Sequence, residues 1–169
     1  MSSGLLSTAK YPPTLLDRLT DNAPREAGER NPIRLIGDEE LKESVARDLE
    51  ALLNCRCAYG EDVFLHFPET LKSIGSYGMG DFVGRSLANP ADRNHICRSL
   101  ERTIATHERR LKQVRVLLEL ESGVVNRLRF AIHALLVVHP ATEPVFFDAL
   151  LQPSTLQYSV SKAKRSIAS

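Results

Sequence analysis

Between Pro90 and Val138 the apolar residues of this chain change their spacing, and that change limits the fold more than any other feature. Ile96, Leu100 and Ile104 recur at every fourth residue, behind Asn89 as N-cap and Pro90 at the first helical position. This predicts a helix whose stripe ends at His107. Further on the period is two: Val114, Val116, Leu118 and Leu120 point one way, Gln113, Arg115, Glu119 and Glu121 the other, and Leu117 is out of phase. A turn through Gly123 in "ESGVVN" sends the chain back with Leu128, Phe130, Ile132, Ala134, Leu136 and Val138 on one face and Arg127, Arg129 and His133 on the other. A helix followed by an antiparallel hairpin with one wet face buries its stripe on the hairpin's apolar face. Leu100 and Ile104 are therefore expected against Val116 and Phe130.

The flanking segments fit this frame. Leu41, Val45, Leu49, Leu52 and Leu53 form an earlier amphipathic helix, with Asp38, Glu39 and Glu40 suited to its positive end. The segment from Cys55 to Asn89 holds five glycines and Pro68 and reads as loop with at most a short helix, "ETLKSIG". Pro140 and Pro144 bracket a turn, "VFFDALL" at 145–151 reads as a third strand, and "LQYSV" beyond Pro153 can resume it. The expected class is α+β, with N-terminal helices packed on a C-terminal, mainly antiparallel three-stranded sheet. The expected organisation is a flexible arm with one short helix over 1–37, a single domain over 38–161, and a basic tail over 162–169.

The change of period passes through "THERRLKQVRV" with neither Pro nor Gly to make the break. Three charges stand there: Glu108, Arg109 and Arg110. Basic residues suit the C-terminal end of a helix dipole and ordinarily face water. The same corner is also a candidate docking site. Read from the residues alone, the chain is an interaction domain with an edge strand open for pairing.

Composition excludes several classes. With 22 basic and 21 acidic residues the net charge is +1, so no overall field draws the chain to nucleic acid, and the cluster Lys162, Lys164 and Arg165 reads as a solvated tail. No run approaches the roughly 20 apolar residues of a membrane span, and "MSSGLLSTAK" has no secretory pattern. The expectation is a cytoplasmic protein with its three cysteines reduced.

Candidate chemistry is thin. Cys55 and Cys57 leave one residue between them where structural zinc pairs usually leave two to four, and His95 and Cys97, two apart on a helix, diverge; no metal or cofactor is expected. "GSYGMGDFVG" contains a G-x-G but no P-loop lysine, and no G-x-S-x-G elbow is present. Glu108 with Glu119 or Glu121 could supply the two carboxylates of a glycosidase. Flanking arginines and a chain with no Trp and 6% aromatics argue against sugar chemistry.

Six segments in order, "TLLDRL" (14–19), "ESVARDLEALLNCR" (43–56), "SYGMGDF" (76–82), "ICRSLERTIATHERRLKQVRV" (96–116), "LRFAIHALL" (128–136) and "EPVFFDALL" (143–151), resemble the TssE family of type VI secretion baseplate subunits. That family includes a wedge protein of contractile-tail phages once labelled lysozyme-like. The resemblance runs from about Thr14 to Val160. It implies a non-enzymatic cytoplasmic wedge subunit that helps nucleate the contractile sheath, with baseplate partners TssF, TssG and TssK and sheath partners TssB and TssC. A peptidoglycan hydrolase is the alternative its old label implies. The family's Glu-Pro-Arg signature falls on Glu108, Arg109 and Arg110, which the resemblance makes the partner-binding residues. Arg109 replaces the Pro, Gly80 stands where the family often has Pro, and Cys55 where it often has Thr.

Overall fold

The computed structural model describes residues 10–19, 35–80, 89–119, 128–138, 141–152 and 154–163. The expected Gly123 turn, Pro140, Pro153, Lys164 and Arg165 lie outside them, as do Asp81 to Gly84 of the glycine-rich stretch. The chain divides into two compact units, Met1–Val45 and Ala46–Ser169.

In the first unit, Thr14 opens a short helix, α1 (Leu15–Leu19). Its hydroxyl accepts from the Asp17 N–H at 3.1 Å while the Asp17 carboxylate accepts from the Thr14 N–H at 3.1 Å, a reciprocal cap that satisfies two donors of a five-residue helix. Ser44, fully buried, donates to the same carboxylate at 2.7 Å. Tyr11 forms an antiparallel bridge with Ile36.

The helix α2 (Asp38–Asn54) begins in this unit, with Asp38, Glu39 and Glu40 in its first turn as expected from the dipole. In the second unit it buries Leu49, Leu52 and Leu53. There follow a short helix α3 (Glu61–His66), not expected from the sequence, and 3₁₀ turns over Pro68–Lys72 and Ile74–Ser76. The helix α4 (Pro90–His107) is capped by the Asn89 side chain, which accepts from the Ala91 N–H at 3.0 Å, and it buries Ile96, Leu100 and Ile104.

The chain then enters one antiparallel sheet of order β1 (Leu111–Glu119), β2 (Leu128–Val138), β3 (Ala141–Gln152) and β4 (Gln157–Lys162). The fold is α+β, with helices first and sheet last. The strand count corrects the sequence reading of three. "LQYSV" does not resume β3; it turns back after residues 154–156 and pairs along it from Gln157 to Lys162. Two inward residues, Tyr158 and Val160, are too few for periodicity to reveal a strand. Pro144 also lies inside β3 rather than at a turn, opposite Leu135. β4 pairs with β3 only from Phe147 onward, so at Pro144 the strand is an edge and the missing N–H breaks no ladder.

One face of the sheet is core: Val116, Phe130, Ile132, Leu136, Val145, Phe147, Ala149, Tyr158 and Val160 are buried with the α4 stripe. β1 keeps its phase by a bulge between Lys112 and Arg115, where Gln113 adopts φ 53°. The extra residue lets Leu111 and Val114 both face inward, although their spacing is odd. Leu117, out of phase in the sequence, stands on the outer face, 56% exposed.

Both outer edges of the sheet meet helix side chains. Glu101 of α4 accepts from the Val116 N–H on β1 at 2.9 Å. Glu50 and Asn54 of α2 accept from the Val160 and Tyr158 N–H groups on β4 at 2.8 and 2.7 Å. The edge expected to be open for pairing is thus closed at these positions.

Candidate functional site

The helix-to-strand corner is built by Glu108. Its N–H still donates to Ile104 O at 2.8 Å, as a helical residue's would, but its backbone turns to φ −103° and ψ 91° and ends α4. Its carboxylate folds forward over the turn, accepting from the Arg110 N–H at 3.0 Å and from Arg110 Nε at 2.8 Å. Leu111 N–H closes the turn on Glu108 O at 3.2 Å, and Val137 N–H on β2 donates to Arg110 O at 2.8 Å. A carboxylate that binds both the backbone and the side chain two residues ahead makes the break with neither Pro nor Gly.

Arg110 reaches back across the corner, where its Nη2 bonds both Glu108 Oε2 and Asp48 Oδ2 on α2. Burial disfavours the guanidinium charge, but the bonds and charge of Glu108, and then of Asp48, outweigh it and raise the group above its ordinary value. Nη1 is closed to solvent and has no partner among the described residues.

The third wall comes from "SYGMG". Gly78 has φ +105°, and a Cβ there would lie 2.5 Å from Cys55 O, so only glycine allows the approach. The approach lets Met79 bridge to the segment after α2: Met79 N–H donates to Cys55 O at 2.8 Å and Cys57 N–H to Met79 O at 2.9 Å. This holds Ser76 and Tyr77 against His107, whose Nε2 lies 3.0 Å from Ser76 O and whose ring meets Tyr77 edge-on at 5.3 Å. Burial first, then Cys55, Asp48 and Glu108, push the Tyr77 phenol above its ordinary value.

Of the three corner residues expected at a partner surface, the structure brings Glu108 and Arg110 together and turns them inward. Glu108 is 8% exposed and is no wet helix end; Arg109, at the apex of the turn, faces solvent. Asp48, His107 and Tyr77 were not anticipated. Asp48 had a signal: it lies three residues after Val45 and four before Leu52, which puts an acid on the apolar stripe of α2. Among the described residues no three His, Cys, Asp or Glu side chains cluster as metal ligands, and no helix is long and apolar enough to cross a membrane.

The segments that build this corner fall in one match. A family model described as baseplate wedge protein gp25 matches residues 39–141, which takes in α2, the Gly78 approach, α4, the corner, and the first two strands. Among solved structures, a chain of "The baseplate complex from the type VI secretion system" is 17% identical, with 68% of this chain and 96% of that one covered and a TM-score of 0.46. No curated protein matches the chain. With more than half its length matched, including every residue of the corner, the chain belongs to the baseplate wedge protein gp25 family.

Proposed function

We propose that this chain is a non-enzymatic, TssE-like subunit of a type VI secretion baseplate, working in the cytoplasm, that helps assemble the wedge and nucleates the contractile sheath. The observation that carries the proposal is the match of residues 39–141 to a baseplate wedge family. The sequence resemblance over Thr14 to Val160 adds the secretion system and the partners: TssF, TssG and TssK in the baseplate, TssB and TssC in the sheath. The domain is taken as 38–161, between an N-terminal arm and a basic tail.

The corner has a divided role in this reading. Arg109 is the group a partner touches, while Glu108, Arg110 and Asp48 fix the turn that presents it. A charge held at a rigid apex suits register and partner choice better than bulk affinity. Burial of Glu108 also supports a structural role over peptidoglycan hydrolysis, since a glycosidic oxygen has to reach its general acid.

The test is capture of tagged chain from cells that carry the secretion genes, together with imaging of sheath assembly in a deletion strain. Co-purification of baseplate subunits and restored sheaths are expected. Peptidoglycan cleavage that Glu108→Gln abolishes, with no baseplate subunit captured, would sink the reading.

A further inference from the structure

A two-layer fold leaves the second face of its sheet to solvent or to a partner. Here the α4 stripe is buried with the inner face, and the strand register gives the composition of the outer one. Arg115 stands opposite His133 and His133 opposite Phe146, with the two rings edge-on at 4.9 Å. One row nearer the corner Lys112 stands opposite Leu135, and one row further from it Leu117 projects. Leu117 and Phe146 are exposed and Leu135 is half-buried, so an apolar strip crosses β1, β2 and β3. On β4 the same face carries Ser159 and Ser161, small and polar, and the strip stops at β3.

The charges of this face divide into a closed half and an open half. Its strands turn two acids outward, Glu119 and Asp148, and Arg129 lies between them, 3.4 Å from Glu119 Oε2 and 2.8 Å from Asp148 Oδ2. Lys112 and Arg115 are exposed, and neither has an ion-pair partner among the described residues. Their neighbours across the strand are Leu135 and His133, which supply no negative charge of their own. Two cations therefore border the apolar strip with no acid to answer them.

The size of the strip selects the shape that fits it. A partner sheet would need apolar residues on all four strands. Three strands span about 10 Å, the diameter of roughly one helix, and the run from Leu135 to Ala131 is about 13 Å long, roughly nine helical residues. The geometry points to a docking face for an acidic amphipathic helix of a partner protein: its apolar stripe lies on Leu117, Leu135 and Phe146, and its carboxylates meet Lys112 and Arg115. Docking adds a third layer to the fold and gives both cations a counter-charge. The helix's source rests on the subunit role proposed above, whereas its chemistry is read from the face itself.

The experiment places the photoreactive residue p-benzoylphenylalanine at Leu117 of the full chain in cells that carry the secretion genes and sequences the crosslinked peptide by mass spectrometry. The expected peptide has apolar residues at helical spacing flanked by Asp or Glu. Lys112→Glu/Arg115→Glu should cut the crosslink yield by roughly tenfold, and Lys112→Arg/Arg115→Lys, which keeps both charges, by less than about twofold. Both variants should melt within a few degrees of the parent. Four results would overturn the docking face: a yield at Leu117 no greater than with the same probe at Ser159, a peptide from a second copy of this chain, a peptide without acids at helical spacing, or an undiminished yield in the charge-reversed variant. An acidic helix from a protein outside the baseplate would uphold the face while sinking its source, so the two readings fail separately.

Discussion

Glu108 and Arg109 are neighbours in sequence and opposite in consequence. Glu108 is 8% exposed and bonded to Arg110 by both oxygens, whereas Arg109 faces solvent. Glu108→Arg would place a cation beside Arg110 and leave Asp48 as its one counter-charge among the described residues; breaking a buried pair in this way is expected to cost about 3–5 kcal/mol, read by urea denaturation. Arg109→Glu should change stability by less than about 0.5 kcal/mol yet weaken capture of baseplate partners. Loss of capture only in variants that also unfold would leave the corner a purely structural feature. A second residue reports on pH. Burial pushes the Tyr158 phenol from 10.0 up to about 12, opposed by Arg56. The folded value is raised, so the contribution is whole below pH 10 and is lost as pH rises towards 12. Two units correspond to about 3 kcal/mol. Tyr158→Phe should therefore flatten the fall in stability over that window, measured against the parent chain, which shares every other alkaline titration.

At the scale of elements, the bulge in β1 decides whether the sheet has a core. Leu111 and Val114 are both buried only because Gln113 is an extra residue between them. Deleting Gln113 would turn Leu111 to the wet face or pull Val114 and Val116 from the core, at an expected cost of about 3–5 kcal/mol. Gln113→Gly, which suits φ 53° better, should be neutral or stabilise by up to about 1 kcal/mol. A deletion that denatures like the parent would mean that the register is set elsewhere. The same stretch marks how far the sequence could be read. α2, α4 and the first three strands were legible because each repeats its apolar period several times. β4 offered only Tyr158 and Val160, and its outer edge is completed by Glu50 and Asn54, about a hundred residues earlier in the chain. α3 is six residues long, below the length at which periodicity speaks. The corner's charges were visible, but their inward direction was not, because it depends on Asp48 across a tertiary contact.

For the molecule as a whole, the question is where other proteins can touch it. The β1 and β4 edges are covered by helix side chains, and the outer sheet face is part apolar and part paired charge, with Arg129 bonded to Asp148 at 2.8 Å and His133 edge-on to Phe146. The stretch from α3 through the 3₁₀ turns is different: Leu65 is 82% exposed, Phe67 62% and Ile74 91%. Such a run is unusual on a protein that works alone, and large apolar side chains are the residues that anchor an interface once covered. Their exposure makes the test clean, since replacing a side chain that already stands in water takes little from the fold. Leu65→Ser/Phe67→Ser/Ile74→Ser is expected to keep the parent's melting temperature within a few degrees. It should also reduce capture of baseplate subunits by roughly tenfold or more, the loss of about 1.4 kcal/mol or more from one interface. A drop in melting temperature with capture intact would place these residues in the fold of the chain. An unchanged value for both would send the search for the partner surface back to Arg109 and the outer sheet face.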